Sequence, residues 1–411
     1  MQALVDSLIA NGTLPAAVPT WAYYVGAMLV FGGIVVFGFI LPIAGITTWV
    51  ERRIAGRIQS RIGPNRAGPA GFLQWLADGI KSVLKEDIVP TEADAPLFKL
   101  APYVVMMGFV GAFVVIPFGG PLIIADLDVG ILYITAVTSL VVVGILMAGW
   151  SSNNKWSLLG GIRSAAQIVS YEIPAALSIF PIVLVTGSLS MQTIIAGQGW
   201  APWSWNLFSN PCTFIAFFVF FISALAEGNR TPFDLPEAES ELVMGAFTEY
   251  SGIRNLLFFM AEWGNLYVIG AIVTTLFLGG WNIPFALEGH PVIRTVLQFV
   301  TFFLKSYFWV FIAVWLRWTL PRIRVDQMMI MCWKYLVPIA LANMIGTAVW
   351  VVFFPQGLFV MRLALMAVAA IVLLRFLGRV SYHVRRAGLP REELSFNPLA
   401  TARSPRAQVL G

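Results

Sequence analysis

Ile131-Leu-Tyr-Ile-Thr-Ala-Val-Thr-Ser-Leu-Val-Val-Val-Gly-Ile-Leu-Met-Ala-Gly-Trp150 contains no charged side chain. A helix that crosses the hydrocarbon core of a bilayer needs about 20 such residues. Working outward, further apolar stretches lie at 21–50, 101–118, 164–187, 211–226, 261–281, 299–318, 337–354 and 359–377. The composition agrees. The chain has 411 residues, 58% apolar and only 11% charged, where soluble proteins carry about 25% charged residues. So little polar surface cannot cover that much apolar surface in water. A soluble enzyme, a disordered chain, a coiled coil and a repeat solenoid are therefore excluded. The expected fold class is an all-α polytopic membrane protein with about nine transmembrane helices, eight being the alternative.

The positive charges set the orientation. The loop from Glu51 to Lys99 holds Arg52, Arg53, Arg57, Arg61, Arg66, Lys81, Lys85 and Lys99, whereas 119–130 holds none. Loops rich and poor in Lys and Arg then alternate: Lys155 and Arg163, none in 187–210, Arg230 and Arg254, Arg294 alone, then Arg317, Arg322, Arg324 and Lys334. Cytoplasmic loops carry the excess of basic residues, so the N-terminus is expected outside. A ninth span brings the basic tail, with Arg379, Arg385, Arg386, Arg391, Arg403 and Arg406, to the cytoplasmic side. The expected organisation is one bundle over 1–378, with large cytoplasmic loops at 51–100 and 227–262, followed by a polar tail at 379–411. The first basic residue is Arg52, so the start does not read as a secretory signal.

Two inside loops carry the chemistry. In the first, Arg61-Ile-Gly-Pro-Asn-Arg66-Ala-Gly-Pro69 reads as a stiff turn region. After it, Phe72, Leu76, Ile80, Val83 and Leu84 recur at helical spacing with Gln74, Asp78, Lys81 and Lys85 between them. That pattern predicts an amphipathic helix lying at the membrane surface, with Asp78 and Lys81 as an i,i+3 pair. One reading makes it an anchor; a sharper one makes it the roof of a cavity for a lipid-like substrate. In the second loop, Glu227, Asp234, Glu237, Glu239, Glu241, Glu249 and Glu262 meet only Arg230 and Arg254. Asp234-Leu-Pro-Glu237 also reads as a helix start. Glu237, Glu239 and Glu241 are two apart and do not share one helical face. Clustered carboxylates near a low-dielectric region share protons. Glu172 stands inside a span between Tyr171 and Pro174, where a carboxylate marks an ion or proton path. Lys305, also within a span, is equally explained by snorkelling.

Other chemistries lack their residues. Cys212 and Cys332 are isolated, and His290 and His383 are far apart, so no metal, haem or iron–sulfur ligation is expected. No phosphate-binding glycine motif of the dinucleotide or ATP type occurs.

Arg61-Ile-Gly-Pro-Asn-Arg66, Ala77-Asp78-Gly79 and Lys85-Glu86-Asp87 resemble the first inside loop of the H-subunit family of NADH-quinone oxidoreductase, respiratory complex I. Ala226-Glu227 with Arg230-Thr-Pro-Phe-Asp-Leu-Pro-Glu-Ala-Glu-Ser-Glu241-Leu resembles that family's acidic loop. Glu249-Tyr-Ser251, Ala261-Glu262, Ser170-Tyr-Glu172-Ile-Pro and Arg317-Trp with Pro321-Arg-Ile-Arg324 and Asp326 are similar too. The likeness covers residues 25–355; Arg254-Asn255 and 197–210 look less typical.

The resemblance implies a subunit at the joint of the membrane and peripheral arms, not catalytic alone and holding no redox centre. Quinone is the substrate; FMN and iron–sulfur clusters belong to partner subunits. Arg52, Arg53, Arg61, Arg66, Asp78 and Arg230 would line the quinone chamber. Glu172, Glu227, Asp234, Glu237, Glu239, Glu241 and Glu262 would couple it to proton translocation in a bacterial cytoplasmic membrane. Implied partners are the quinone-site subunits of the peripheral arm and the small membrane-arm subunits, with no nucleic acid. The rivals are the anchor subunit of a membrane-bound hydrogenase complex, a stand-alone ion transporter and a docking scaffold.

Overall fold

The structure, a computed structural model, describes residues 19–234, 239–284, 290–354 and 358–386, and among these every regular element is helical. In a bilayer every backbone polar group must be satisfied within its own segment, which favours helices. Seven helices are long and apolar enough to cross: Ala95–Ala112, Gly130–Ser151, Lys155–Thr186, Gly252–Phe277, Pro291–Thr319, Val325–Phe353 and Phe359–Arg379. Pro211–Glu227 is apolar but shorter. The chain is a multi-pass membrane protein. Each of the nine expected segments overlaps a helix, with different bounds.

In chain order the helices are α1 (Thr20–Val35), α2 (Leu41–Ile58), α3 (Gln74–Leu84), α4 (Ala95–Ala112), α5 (Gly130–Thr138), α6 (Leu140–Ser151), α7 (Lys155–Thr186), α8 (Met191–Ala196), α9 (Pro211–Glu227), α10 (Glu239–Leu242), α11 (Gly252–Phe277), α12 (Pro291–Thr319), α13 (Val325–Ile330), α14 (Val337–Phe353) and α15 (Phe359–Arg386). Wider π-type turns at Val36–Ile40 and Met331–Leu336 join α1 to α2 and α13 to α14. Residues 1–358 form one compact unit and residues 359–411 another, whose described part is α15.

Local chemistry explains the boundaries. Glu51-Arg-Arg-Ile-Ala-Gly-Arg-Ile58 contains no proline, so α2 runs on past the apolar stretch, and Arg52, Arg53 and Arg57 sit on a helix. Residues 59–73 form turns around Pro64 and Pro69, and α3 follows where the apolar spacing placed it, with none of its residues buried. The pair Asp78–Lys81 is formed at 3.5 Å. Asn154 caps α7 by accepting from Trp156 N–H, and left-handed Gly187 ends it. Pro174 and Pro181 leave α7 unbroken. A proline frees the carbonyl four residues before it; for Pro174 that is Ser170, whose oxygen accepts from the Cys332 thiol at 3.1 Å. Helix α11 begins at Gly252, so Glu262 lies on a helix.

Without a hydrophobic force between helices in lipid, close approach of small residues holds a bundle together. A Cβ on Gly160 of α7 would stand 2.5 Å from the Gly245 Cα, and one on Gly149 would stand 2.7 Å from the Ser157 oxygen. The Gly160 contact pins the segment around Gly245 to the bundle. Gly160→Ala is expected to lower the thermal midpoint of the assembled complex, by about 1–3 kcal/mol of overpacking strain. Gly79→Ala, where nothing lies within 4 Å, is the control and should be neutral or stabilising.

Candidate functional site

Arg230 is the largest fully buried side chain, 1% exposed. It lies just beyond α9, and its guanidinium stacks over the Trp263 ring at 4.1 Å. Its amino nitrogens stand 3.1 Å from Glu262 of α11 and 3.8 Å from Glu51 of α2. Glu51 is itself buried and accepts a 3.0 Å ion pair from Arg317 and a 3.2 Å hydrogen bond from Trp318, both on α12. Arg322 holds Asp234 at 3.2 Å. Three guanidinium groups and three carboxylates thus gather where α2, α9, α11 and α12 meet, a balance that keeps buried charge compensated. The Arg230 nitrogens fall within ion-pair range without hydrogen-bond alignment. Charge and stacking, rather than directional bonds, hold it.

A line of carboxylates leads away from this cluster. Glu262 lines one pocket with Asn265, Thr138 and Glu227. Glu227, Asn265 and Thr138 also line a second pocket, which reaches Glu172 inside α7. The break between α5 and α6 falls at Thr138-Ser139, and there the Thr138 hydroxyl faces Glu227 and the Ser139 hydroxyl faces Glu172. Both hydroxyls also lie 3.1 Å from the Thr135 carbonyl. A hydroxyl has a single proton to give, so carbonyl and carboxylate share each donor.

The expected chamber residues divide. Arg52 pairs with Asp78 at 2.5 Å, tying α2 to α3. Arg53 donates to the Ala70 carbonyl and lies over the Trp49 ring. Arg61 bonds Gln59, and Arg66 is exposed. Arg230 instead joins the carboxylate cluster. Among the expected acids, Glu262, Glu227 and Glu172 lie along the two pockets and Asp234 in the cluster. Glu241 is exposed and pairs with Arg163 at 2.8 Å. Glu237 and the Glu239 side chain lie outside the described residues. Glu51, Arg317 and Arg322 are members the sequence reading did not single out. Glu51 read as the edge of a loop; its signal was a lone acid at the end of an apolar helix, directly before two arginines.

Two carboxyls outside the spans shift in opposite directions. Burial alone would raise Asp78, but the hydrogen bond and charge of Arg52, with Gln74 and Lys81, hold it below its usual 3.8. Burial raises Asp234 above 3.8; Arg317 and Arg322 only partly offset this, and Glu262 adds to the rise.

Helical topology, a charge-balanced cluster and a line of carboxylates define a class: multi-pass membrane proteins that hold ionisable groups between their helices. The profile of the NADH dehydrogenase family matches residues 31–348. The NADH-quinone oxidoreductase H subunit of Anaeromyxobacter dehalogenans is 54% identical over 347 residues, covering 80% of this chain and 83% of its own. The corresponding H subunit of Chlorobaculum tepidum is 48% identical, covering 74% and 86%. Subunit 8 of the Rhodothermus marinus enzyme is 47% identical, covering 76% and 93%. The chain therefore belongs to the H-subunit family of NADH-quinone oxidoreductase and is a subunit of that multi-subunit oxidoreductase.

The buried charges can be tested by substitution and by pH. Glu51→Gln leaves buried Arg230 and half-buried Arg317 short of an acid. Breaking a buried pair in this way costs about 3–5 kcal/mol, so less assembled complex should be recovered, whereas Glu241→Gln at an exposed pair should assemble normally. For pH, the sign differs between the two shifted carboxyls. Lowered Asp78 stabilises the fold above 3.8 and loses that contribution as pH falls; raised Asp234 stabilises below 3.8 and loses it as pH rises. Thermal midpoints across pH should show the Asp78→Asn deficit growing from acid to neutral pH. Asp234→Asn should gain on the parent over the same range.

Proposed function

We propose that this chain helps form the quinone chamber of the complex and couples quinone reduction to proton translocation. The observation that carries the reading is the line Glu262, Glu227 and Glu172, which starts at the Arg230 cluster and runs along two adjoining pockets into the bundle. Reduction of a quinone to a quinol takes up two electrons and two protons. The electrons come from iron–sulfur clusters of partner subunits, fed by FMN; this chain supplies walls, charge and proton carriers. Arg52 and Asp78 hold α3 over the chamber, with Arg53 and the loop of Arg61 and Arg66 stiffening its rim. The peripheral-arm quinone subunits cover it, and the small membrane-arm subunits continue the proton path.

Changing the charge in the chamber perturbs the cluster first. Unit charges a few ångströms apart interact by about 4 kcal/mol at the effective dielectric of a protein surface. Arg230 answers by shifting its weight between Glu51 and Glu262. A proton released at Glu262 passes to Glu227 and Glu172, with Thr138 and Ser139 switching their single donor between carbonyl and carboxylate. Glu237 and Glu239 belong to the same acidic loop and sense the same charge. We assign nine crossings in a bacterial cytoplasmic membrane, with the N-terminus outside and the basic tail in the cytoplasm.

Glu227→Gln and Glu172→Gln should reduce NADH-driven proton uptake into vesicles by about tenfold or more, the scale of a 1.4 kcal/mol change in barrier, in complexes that assemble normally. Unchanged quinone reduction together with unchanged pumping would remove these residues from the coupling role.

A further inference from the structure

Lys305 lies within α12, and its ammonium is engaged by the protein. It donates to the carbonyls of Leu278 at 2.9 Å and Gly280 at 3.1 Å, and lies over the Trp205 ring at 5.1 Å. These carbonyls belong to the outer end of α11, where Gly279 and Gly280 take positive φ. Immediately beside them, Gln198 makes the same kind of bond, donating to the Thr275 and Leu276 carbonyls and accepting from Gly279 N–H. A neutral amide thus suffices to cap this helix end. Among the described residues no carboxylate pairs with Lys305. A cation within a span is costly, and here carbonyl dipoles and a ring face, not a carboxylate, offset it, so the charge itself calls for an explanation.

The seam that Lys305 closes supplies one. On the face of α11 opposite the carboxylate line, buried Tyr267 and Thr274 of α11 and Ser306 of α12 place three hydroxyls along one seam. Ser306 Oγ donates to Thr274 Oγ1 at 3.4 Å, and the buried Tyr267 hydroxyl has no hydrogen-bond partner among the described residues. The helices touch so closely at this level that a Cβ on Gly270 would lie 2.4 Å from the Ser306 oxygen. Toward the inner side, the Tyr307 hydroxyl meets Thr47 at 3.4 Å, and Thr47 lies one helical turn from Glu51. Polar groups therefore mark the α2–α11–α12 interface from the Arg230 cluster outward. From Tyr267 to Leu278 the seam rises about 16 Å at the helical rise per residue.

The geometry points to Lys305 as a cationic plug that seals the outer end of this hydroxyl seam against protons. A fixed positive charge beside oriented backbone dipoles raises the barrier to a proton without blocking neutral packing, as in pores that exclude cations. The carboxylate line carries protons on one face of α11; on its other face Lys305 prevents the same membrane from short-circuiting. The inference rests on the chain working in a proton-energised membrane, but not on any carboxylate taking part in turnover.

The test uses the whole purified complex in proteoliposomes with an imposed pH gradient and no NADH, so it reads leak independently of coupling. Lys305→Gln keeps a donor for the carbonyls and removes the charge; Lys305→Met removes both. Both are expected to dissipate the gradient about tenfold faster than the parent, as loss of an electrostatic barrier should, while Lys305→Arg stays tight. Thr274→Val in the Lys305→Gln background should restore tightness by interrupting the hydroxyl seam. NADH-quinone reductase activity should persist in Lys305→Gln while protons stored per electron fall. Parent-like gradients in both Lys305→Gln and Lys305→Met overturn the proposal. So does a leak in Lys305→Arg equal to that in Lys305→Gln, or a leak that Thr274→Val leaves unchanged. Loss of coupling in the Glu227 variant with a tight Lys305→Gln complex would separate the two readings.

Discussion

The buried guanidinium of Arg230 is the interaction on which the rest of this structure depends. A cation of that size, taken almost completely from water, survives only with compensating charge. Glu51, Glu262 and the Trp263 face supply it from two different helices, so α2, α9 and α11 must meet at this point. Arg317 and Arg322 bring α12 and the segment after it to the same place, through Glu51 and Asp234. Around Arg230 the bundle is organised by charge neutrality. Elsewhere it is organised by close glycine contacts and amide-to-carbonyl bonds.

This division explains where a perturbation can travel. Tight glycine contacts leave no slack between helices, since packed interiors are not continuously deformable. The charge cluster is different: its guanidinium meets two carboxylates without committing to directional bonds with either. A change of charge nearby shifts that balance at small structural cost. The break at Thr138-Ser139 adds a second adjustable point, because two hydroxyls there face more acceptors than they have protons.

Much of the fold was legible in the sequence. Long uncharged runs and the apolar spacing of α3 each have one physical cause that acts locally. The carboxylates Glu172, Glu227 and Glu262 stood out for a related reason, since acids in or beside apolar helices are expensive, and they line the two pockets. What could not be read was pairing. Glu51 is more than 170 residues from Arg230 and more than 260 from Arg317, and nothing local shows that they meet. For the same reason nothing local showed that Arg230, expected at the chamber, stands between Glu51 and Glu262. The role of Arg254 was hidden too: it reaches Asp87 at 2.9 Å and lies over the Phe98 ring.

That last contact bears on how α11 can move. At its N-terminal end Arg254 grips Asp87, and Ser251 exchanges hydrogen bonds with the backbone of Glu86 and Ile88. At its C-terminal end Lys305 and Gln198 hold the final carbonyls. A beam clamped at both ends can bow or twist, but it cannot slide like a piston. Whatever passes along this helix must therefore do so by bending at its middle, where Glu262, Asn265 and Tyr267 project to opposite sides. One flexure there would open one face as it closes the other.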